Sequence, residues 1–212
     1  MYINIHSHRR AGKGEWGLRN FSPGIGQFSE DMPFSAGIHP WHIPENWQGL
    51  YDELARLAKH PNLMAIGECG LDKICNTDMH LQRDVFIAQI KLANEIDKPL
   101  IIHCVRAYEE VLQALSSCRN EMPVIFHGFN KSEALAQSLV RKGFYLSFGA
   151  AVKKVNIASY IPRLPLSRIF LETDDADISI SEVYKTVADV LNISEEALSL
   201  QLQRNLQNVF KI

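Results

Sequence analysis

Short, continuous apolar runs alternate along the chain with longer segments of helical periodicity. The runs are Tyr2–Ile5, Pro33–Ile38, Leu63–Ile66, Leu100–Ile102, Val124–Phe126, Phe144–Phe148 and Ile169–Leu171. Unbroken apolar character, rather than strict alternation, predicts strands buried on both faces, as in a parallel sheet. Between the runs, Asn46 to Lys59 places Leu50, Leu54, Leu57 and Ala58 at helical spacing. Asp78 to Asp97 aligns Leu81, Val85, Ala88, Leu92 and Ile96 on one stripe, and Lys98-Pro99 breaks it before the next strand. Ala107–Cys118 and Ser132–Lys142 repeat the pattern, the second stopped by Gly143 as the residue after the helix end. Ser181–Leu191 and Glu195–Val209 close the chain as two further helices, with Ser194 as an N-cap. Strands stand about 20 to 37 residues apart, the spacing of βα units, and their order predicts an α/β fold with a parallel sheet. Seven strands are legible. Arg9 to Met32, rich in Gly and polar residues, shows neither period.

At 212 residues the chain is read as a single domain over 1–212, large enough to bury roughly 70% of its unfolded surface without staples. A net charge of -2 excludes a strongly basic field for tight non-specific nucleic-acid binding. No apolar run approaches the roughly 18 residues of a membrane span, so no membrane association is expected. Met1 to Arg10 lacks the apolar core of a secretory signal. Cys69, Cys75, Cys104 and Cys118 form no C-x-x-C pair, which fits a reducing, cytoplasmic setting. Cys104 and Cys118 read as core thiols.

The chemistry lies at the ends of the runs. Ile5 leads into His6-Ser7-His8, Gly37-Ile38 into His39-Pro40, Ala65-Ile66-Gly67 into Glu68, Leu100-Ile101-Ile102 into His103, Val124-Ile125-Phe126 into His127, and Phe170-Leu171 into Glu172-Thr173-Asp174. In parallel α/β barrels that rim builds the active site. Buried imidazoles and carboxylates converging there would be costly without a cation to compensate them. On a strand, residues i and i+2 share a face about 6.5–7 Å apart, so His6 and His8 can reach one ion. Glu68 has two oxygens and can bridge. The resulting expectation is His6, His8, Glu68 and Asp174 around one ion, and Glu68, His103 and His127 around another. Mixed imidazole and carboxylate donors suit Zn²⁺, Mn²⁺ or, with more oxygen ligands, Mg²⁺.

The ordered set resembles the TatD family of metal-dependent hydrolases, within the amidohydrolase-like barrels. The resemblance is carried by His6-Ser7-His8, Gly37-Ile38-His39-Pro40, Ala65 to Asp72, Pro99 to His103, Phe126-His127-Gly128-Phe129 and Leu171 to Asp174. Gln82 and Phe86 match the family's Q-x-x-x-F, and Asn208-Val209-Phe210 its Asn-containing close. It implies a distorted TIM-like (β/α) barrel, two divalent ions and hydrolysis of phosphodiester bonds in DNA, the substrate and transient partner. Glu68 would bridge the ions, Asp174 would ligate one beside the attacking water, and His39 would bind substrate or support a ligand. The family is usually longer. The loss falls before Gly37, where one βα unit would be missing, or replaced by a hairpin in Glu15–Phe28. Asn4 stands where relatives often carry Asp, and the residues following His103, His127 and Asp174 depart from the family's.

Arg9 and Arg10, with Lys13, Arg19 and Glu15, form a locally basic stretch that could hold phosphates or be a solvated surface. Trp41 and Phe129 beside the motifs could stack on bases or simply pack. Two rival readings stand beside the nuclease. One is hydrolysis of an amide, ester or lactone on a related barrel; many such relatives use a carboxylated Lys on a middle strand, where this chain has Glu68 with Lys73 beyond. The other is a non-catalytic metal-binding barrel. A monomer is compatible with the sequence.

Overall fold

The computed structural model describes residues 1–25 and 31–212. Among them run β1 (Tyr2–Ser7), β2 (Glu15–Phe21), β3 (Phe34–Ala36), α1 (Gln48–Leu57), β4 (Leu63–Asp72), α2 (Met79–Glu95), β5 (Leu100–Val105) and α3 (Tyr108–Ser117). β6 (Val124–Phe126), α4 (Glu133–Arg141), β7 (Tyr145–Phe148), α5 (Val155–Ala158), β8 (Ile169–Leu171), α6 (Ile180–Leu191) and α7 (Glu195–Phe210) follow. Every apolar run is a strand, and all six expected helices form. Their ends follow from local chemistry. Asp78 caps α2 by accepting from the backbone of His80 and Leu81, Ser179 and Glu182 form a capping box on α6, and Ser194 caps α7. Gly143 takes a φ of +91° just past α4.

The seven-strand count is corrected by β2. The hairpin expected in Glu15–Phe28 is replaced by a strand parallel to β1, with Tyr2 opposite Glu15 and Asn4 opposite Gly17; residues 26–28 of that segment lie outside the described residues. The connection, residues 8–14, is shorter than the dozen or so residues of an ordinary parallel crossover, so no helix fits in it. The βα unit thus keeps its strand and loses its helix.

The chain divides into two compact units, Met1–Arg19 with Ile125–Ile212 and Asn20–Val124. In the second, β3, β4 and β5 are parallel neighbours. α2 lies against β4 and turns two glutamines inward. Gln82 accepts from the backbone N–H of Asp72 at 2.8 Å and donates to its carbonyl at 3.0 Å. Gln89 does the same for Ile38, at 2.7 and 3.1 Å. Both side chains are fully buried, and each satisfies backbone groups that a strand end would leave unpaired.

In the first unit β6, β7 and β8 are parallel neighbours. β8 runs on beside β1, where Asp174 donates its backbone N–H to His6 at 3.0 Å and accepts from that of His8 at 3.2 Å. The Tyr184 hydroxyl on α6 clasps both backbone groups of Ile3. Asn205 on α7 is fully buried and donates to the carbonyls of Leu166 and Ile169, whereas Asn208 is exposed. The four cysteines form no disulfide; Cys104 is buried, while Cys118 is only partly so. Among the described residues no helix is long and apolar enough to cross a membrane.

Gly70 lets β4 pass tightly against β5. Its φ is +141°, and a Cβ there would overlap the carbonyl oxygen of His103. Gly70→Ala is therefore expected to destabilise the protein by at least about 2 kcal/mol, measured as a fall in the urea midpoint.

Candidate metal-binding site

Each unit carries one cluster of imidazole and carboxylate groups in, or just beyond, the C-terminal halves of its strands. In Asn20–Val124 the centre is Glu68, on β4 and 4% exposed. Its Oε1 lies 3.0 Å from His39 Nε2 and 3.0 Å from His103 Nδ1. Glu68 is itself oriented by Asn20, whose Oδ1 accepts the Glu68 N–H at 2.9 Å and whose amide donates to Oε2 at 3.4 Å. The opposite nitrogen of His103, Nε2, stands 2.9 Å from Asp72 Oδ2. Asp72 is fully buried and also accepts from the Trp41 indole at 2.7 Å and from Ile74 N–H at 2.8 Å. Burial alone would raise the Asp72 pKa, but the hydrogen bonds from His103, Trp41 and Ile74 outweigh it and hold the carboxyl below the ordinary range. His103 is thus gripped at both ring nitrogens by acids.

In the other unit Asp174 Oδ1 lies 3.4 Å from His6 Nε2 and 3.4 Å from His8 Nε2. The H-x-H spacing does bring both imidazoles to one carboxylate, although β1 ends at Ser7, between them. The His127 ring stands 4.3 Å from that of His6, centroid to centroid. Behind it Glu172 is fully buried, with Oε1 accepting from Gly128 N–H at 2.7 Å and 3.5 Å from His127 Nδ1. Burial would raise the Asp174 pKa, yet hydrogen bonds to His6 and His8, with the fields of His6 and His127, hold it far below the usual carboxylate range.

Within single units, two triads offer donor atoms that all lie within 4.8 Å of one another: His39, Glu68 and His103, and His6, His127 and Asp174. The donors fit a divalent ion, because imidazole with carboxylate is the mixed set borderline cations prefer and the carboxylates are already oriented by their neighbours. The structure groups His39 with Glu68 and His103, where the sequence had suggested a supporting or substrate role. It groups His127 with His6 and Asp174. Arg9 and Arg10 lie outside both triads. Arg9 pairs with Asp177 at 3.1 Å on the surface, and both arginines line a pocket of about 250 Å³ with Lys13, Ser179 and Ser181. Phe129 is buried and packs against Phe148, so it is core.

Asp72, Glu172, Asn20 and Gln89 are supporting residues that the sequence did not single out for a role. Asp72 and Glu172 had a signal, each lying within a motif; Asn20 and Gln89 had none, since their partners are distant in the chain.

A model of the family described as TatD related DNase matches residues 24–211. The chain is 30% identical over 205 residues to an "uncharacterized metal-dependent hydrolase" of Buchnera aphidicola, covering 87% of this chain and 76% of that protein. It is 31% identical over 147 residues to the 3'-5' ssDNA/RNA exonuclease TatD of Shigella flexneri, covering 66% of this chain and 56% of that one. The chain thus spans little more than half the length of that exonuclease. Among solved structures, the TatD homolog YjjV from Escherichia coli superposes with a TM-score of 0.85 at 18% identity, over 100% of this chain and 98% of that one. A TatD family hydrolase from Entamoeba histolytica gives 0.79 at 16% identity, over 99% and 97%. These likenesses show the fold, a TIM-like (β/α) barrel.

If the triads bind cations, a divalent ion at about 100 times its Kd stabilises the fold by about 2.7 kcal/mol, or roughly 5–10 °C in Tm. Scanning fluorimetry with and without Zn²⁺ or Mn²⁺ is expected to show that rise. It should shrink in both His103→Ala and Asp174→Asn.

Proposed function

The chain belongs to the TatD-related DNase family, and on that premise we propose that it is a divalent-metal-dependent nuclease hydrolysing phosphodiester bonds, with DNA as substrate. The observation that carries the reading is the pair of triads, each joining two imidazoles to a carboxylate with all donor atoms within 4.8 Å of one another. Two ions are proposed, one for each triad, with His8 adding a donor beside Asp174. Their imidazole-rich make-up favours Zn²⁺ or Mn²⁺ over Mg²⁺.

A bound divalent ion would lower the pKa of its water toward neutrality and neutralise charge on the phosphoryl group. The protein's own residues do the rest. Asp174, kept ionised and one-third exposed, accepts the proton of the attacking water through its carboxylate. Glu68 holds its carboxylate fixed between His39 and His103, with its backbone tied to Asn20. Arg9 and Arg10, with Lys13, supply positive charge for the phosphate backbone along the pocket they line. The exonuclease relatives' names point to single strands, and we extend that preference to this chain. Lys73, the candidate for a carboxylated lysine, pairs instead with Glu110 and joins neither triad. That favours phosphoester chemistry over amide, ester or lactone hydrolysis.

Metal-loaded protein is expected to cleave a labelled single-stranded oligonucleotide and to leave simple carboxylic esters intact. Glu68→Ala and Asp174→Asn should each lower the rate roughly 10²- to 10⁴-fold with an unchanged circular dichroism spectrum. Ester cleavage without DNA cleavage would overturn the assignment.

A further inference from the structure

Trp41 is 56% exposed, an unusual position for so large an apolar ring, yet it is held on several sides. It sits in the 3₁₀ turn Pro40–His42 that follows β3. Its indole Nε1 donates to Asp72 Oδ2 at 2.7 Å, and its backbone N–H donates to His39 Nδ1 at 3.1 Å. The ring stands edge-on to His39, with centroids 5.2 Å apart and planes at 88°, and 5.9 Å from His103 at 77°. His39 and His103 are both donors of the triad around Glu68. The other oxygen of Asp72 takes the backbone N–H of Ile74, which is 61% exposed. One buried carboxylate therefore holds both the Trp41 ring and the backbone of Ile74.

We propose that Trp41 is a stacking platform for an unpaired base of the substrate, placing the neighbouring phosphodiester at the His39–Glu68–His103 triad. This rests on the nuclease reading and assigns a specificity residue to it. The ring is oriented before any ligand arrives, so stacking on it costs little further side-chain entropy. Aromatic stacking tolerates every base, because each has a π-face, and it does not distinguish DNA from RNA. A base inside a duplex already has both faces covered by its neighbours. The expected substrate is thus a single strand or a frayed end, read without sequence preference. Phe129, the other aromatic beside a motif, is buried and cannot serve.

The test compares KM and kcat on a single-stranded oligothymidylate and on an abasic oligomer of equal length, in Mg²⁺, Mn²⁺ and Zn²⁺. Wild-type protein should favour the base-bearing strand by about 5- to 150-fold, expressed mainly in KM. Trp41→Ala should collapse that ratio toward one. Trp41→Phe, which keeps a ring but cannot donate to Asp72, should retain most of it and guards against a simple folding defect in the alanine variant. Equal losses on both oligomers in Trp41→Ala, or a Trp41→Phe variant as impaired as Trp41→Ala, would assign the residue to structural support and overturn the proposal alone. Wild-type protein that leaves both oligomers intact in all three cations would overturn the nuclease reading and the platform with it.

Discussion

A carboxylate removed from water and held by imidazoles is the interaction on which the site in each unit depends. Glu68, Asp72 and Glu172 are buried almost completely, and an ion so placed without partners would cost several kcal/mol. Each acid is met by a histidine: His39 and His103 for Glu68, His103 again for Asp72, His127 for Glu172. Further lone pairs turn to fixed donors, namely the amide of Asn20, the Trp41 indole and the backbone N–H groups of Ile74 and Gly128, while Glu172 Oε2 accepts no hydrogen bond. Imidazoles pinned in this way cannot wander among rotamers, which is the preorganisation that metal ligands need.

The polar anchors come from elements that look structural. α2 is amphipathic in the ordinary way, but its inner face includes Gln82 and Gln89 among Val85, Phe86 and Ile90. Seven residues apart, the two glutamines lie along one stripe and reach two different strand ends. Gln82 fixes the backbone at Asp72, and Gln89 fixes it at Ile38, just before His39. A leucine in either place would fill the volume and leave the backbone groups of a strand end unsatisfied. The helix thus sets the positions from which Asp72 and His39 act.

What the sequence made legible follows from the same physics. Strands buried on both faces are written in continuous apolar residues, so Val124–Phe126 and Ile169–Leu171 could be bounded to the residue. β4 and β5 continue through Glu68–Asp72 and His103–Val105 because their polar residues are paired inside, a state hydrophobicity does not record. β2 was hidden for another reason: Glu15-Trp16-Gly17-Leu18-Arg19-Asn20 is only partly buried and mixes Gly with charges. That imidazoles and carboxylates gather near one end of the strands was readable, but their grouping was not. It depends on strand spacing and ring orientation, which is why His39 joins Glu68 and why His127 stands with His6. Asn205 was overlooked for Asn208 because burial, not residue type, separates them.

The altered N-terminal segment and the site are coupled through one side chain. Asn4 is buried on β1, donates to Glu15 Oε1 at 2.7 Å and to Thr173 Oγ1 at 2.9 Å, and accepts the Thr173 N–H at 3.0 Å. Thr173 directly precedes Asp174, and its hydroxyl donates to Ser7, so Asn4 helps set the backbone that carries the Asp174 carboxylate. An aspartate at position 4 could still accept from the Thr173 N–H. It would also set a second negative charge against Glu15, the first residue of β2. A neutral amide satisfies both neighbours. The short connection brings Glu15 against β1, and the neutral amide of Asn4 meets it there while keeping its support of the Asp174 backbone intact.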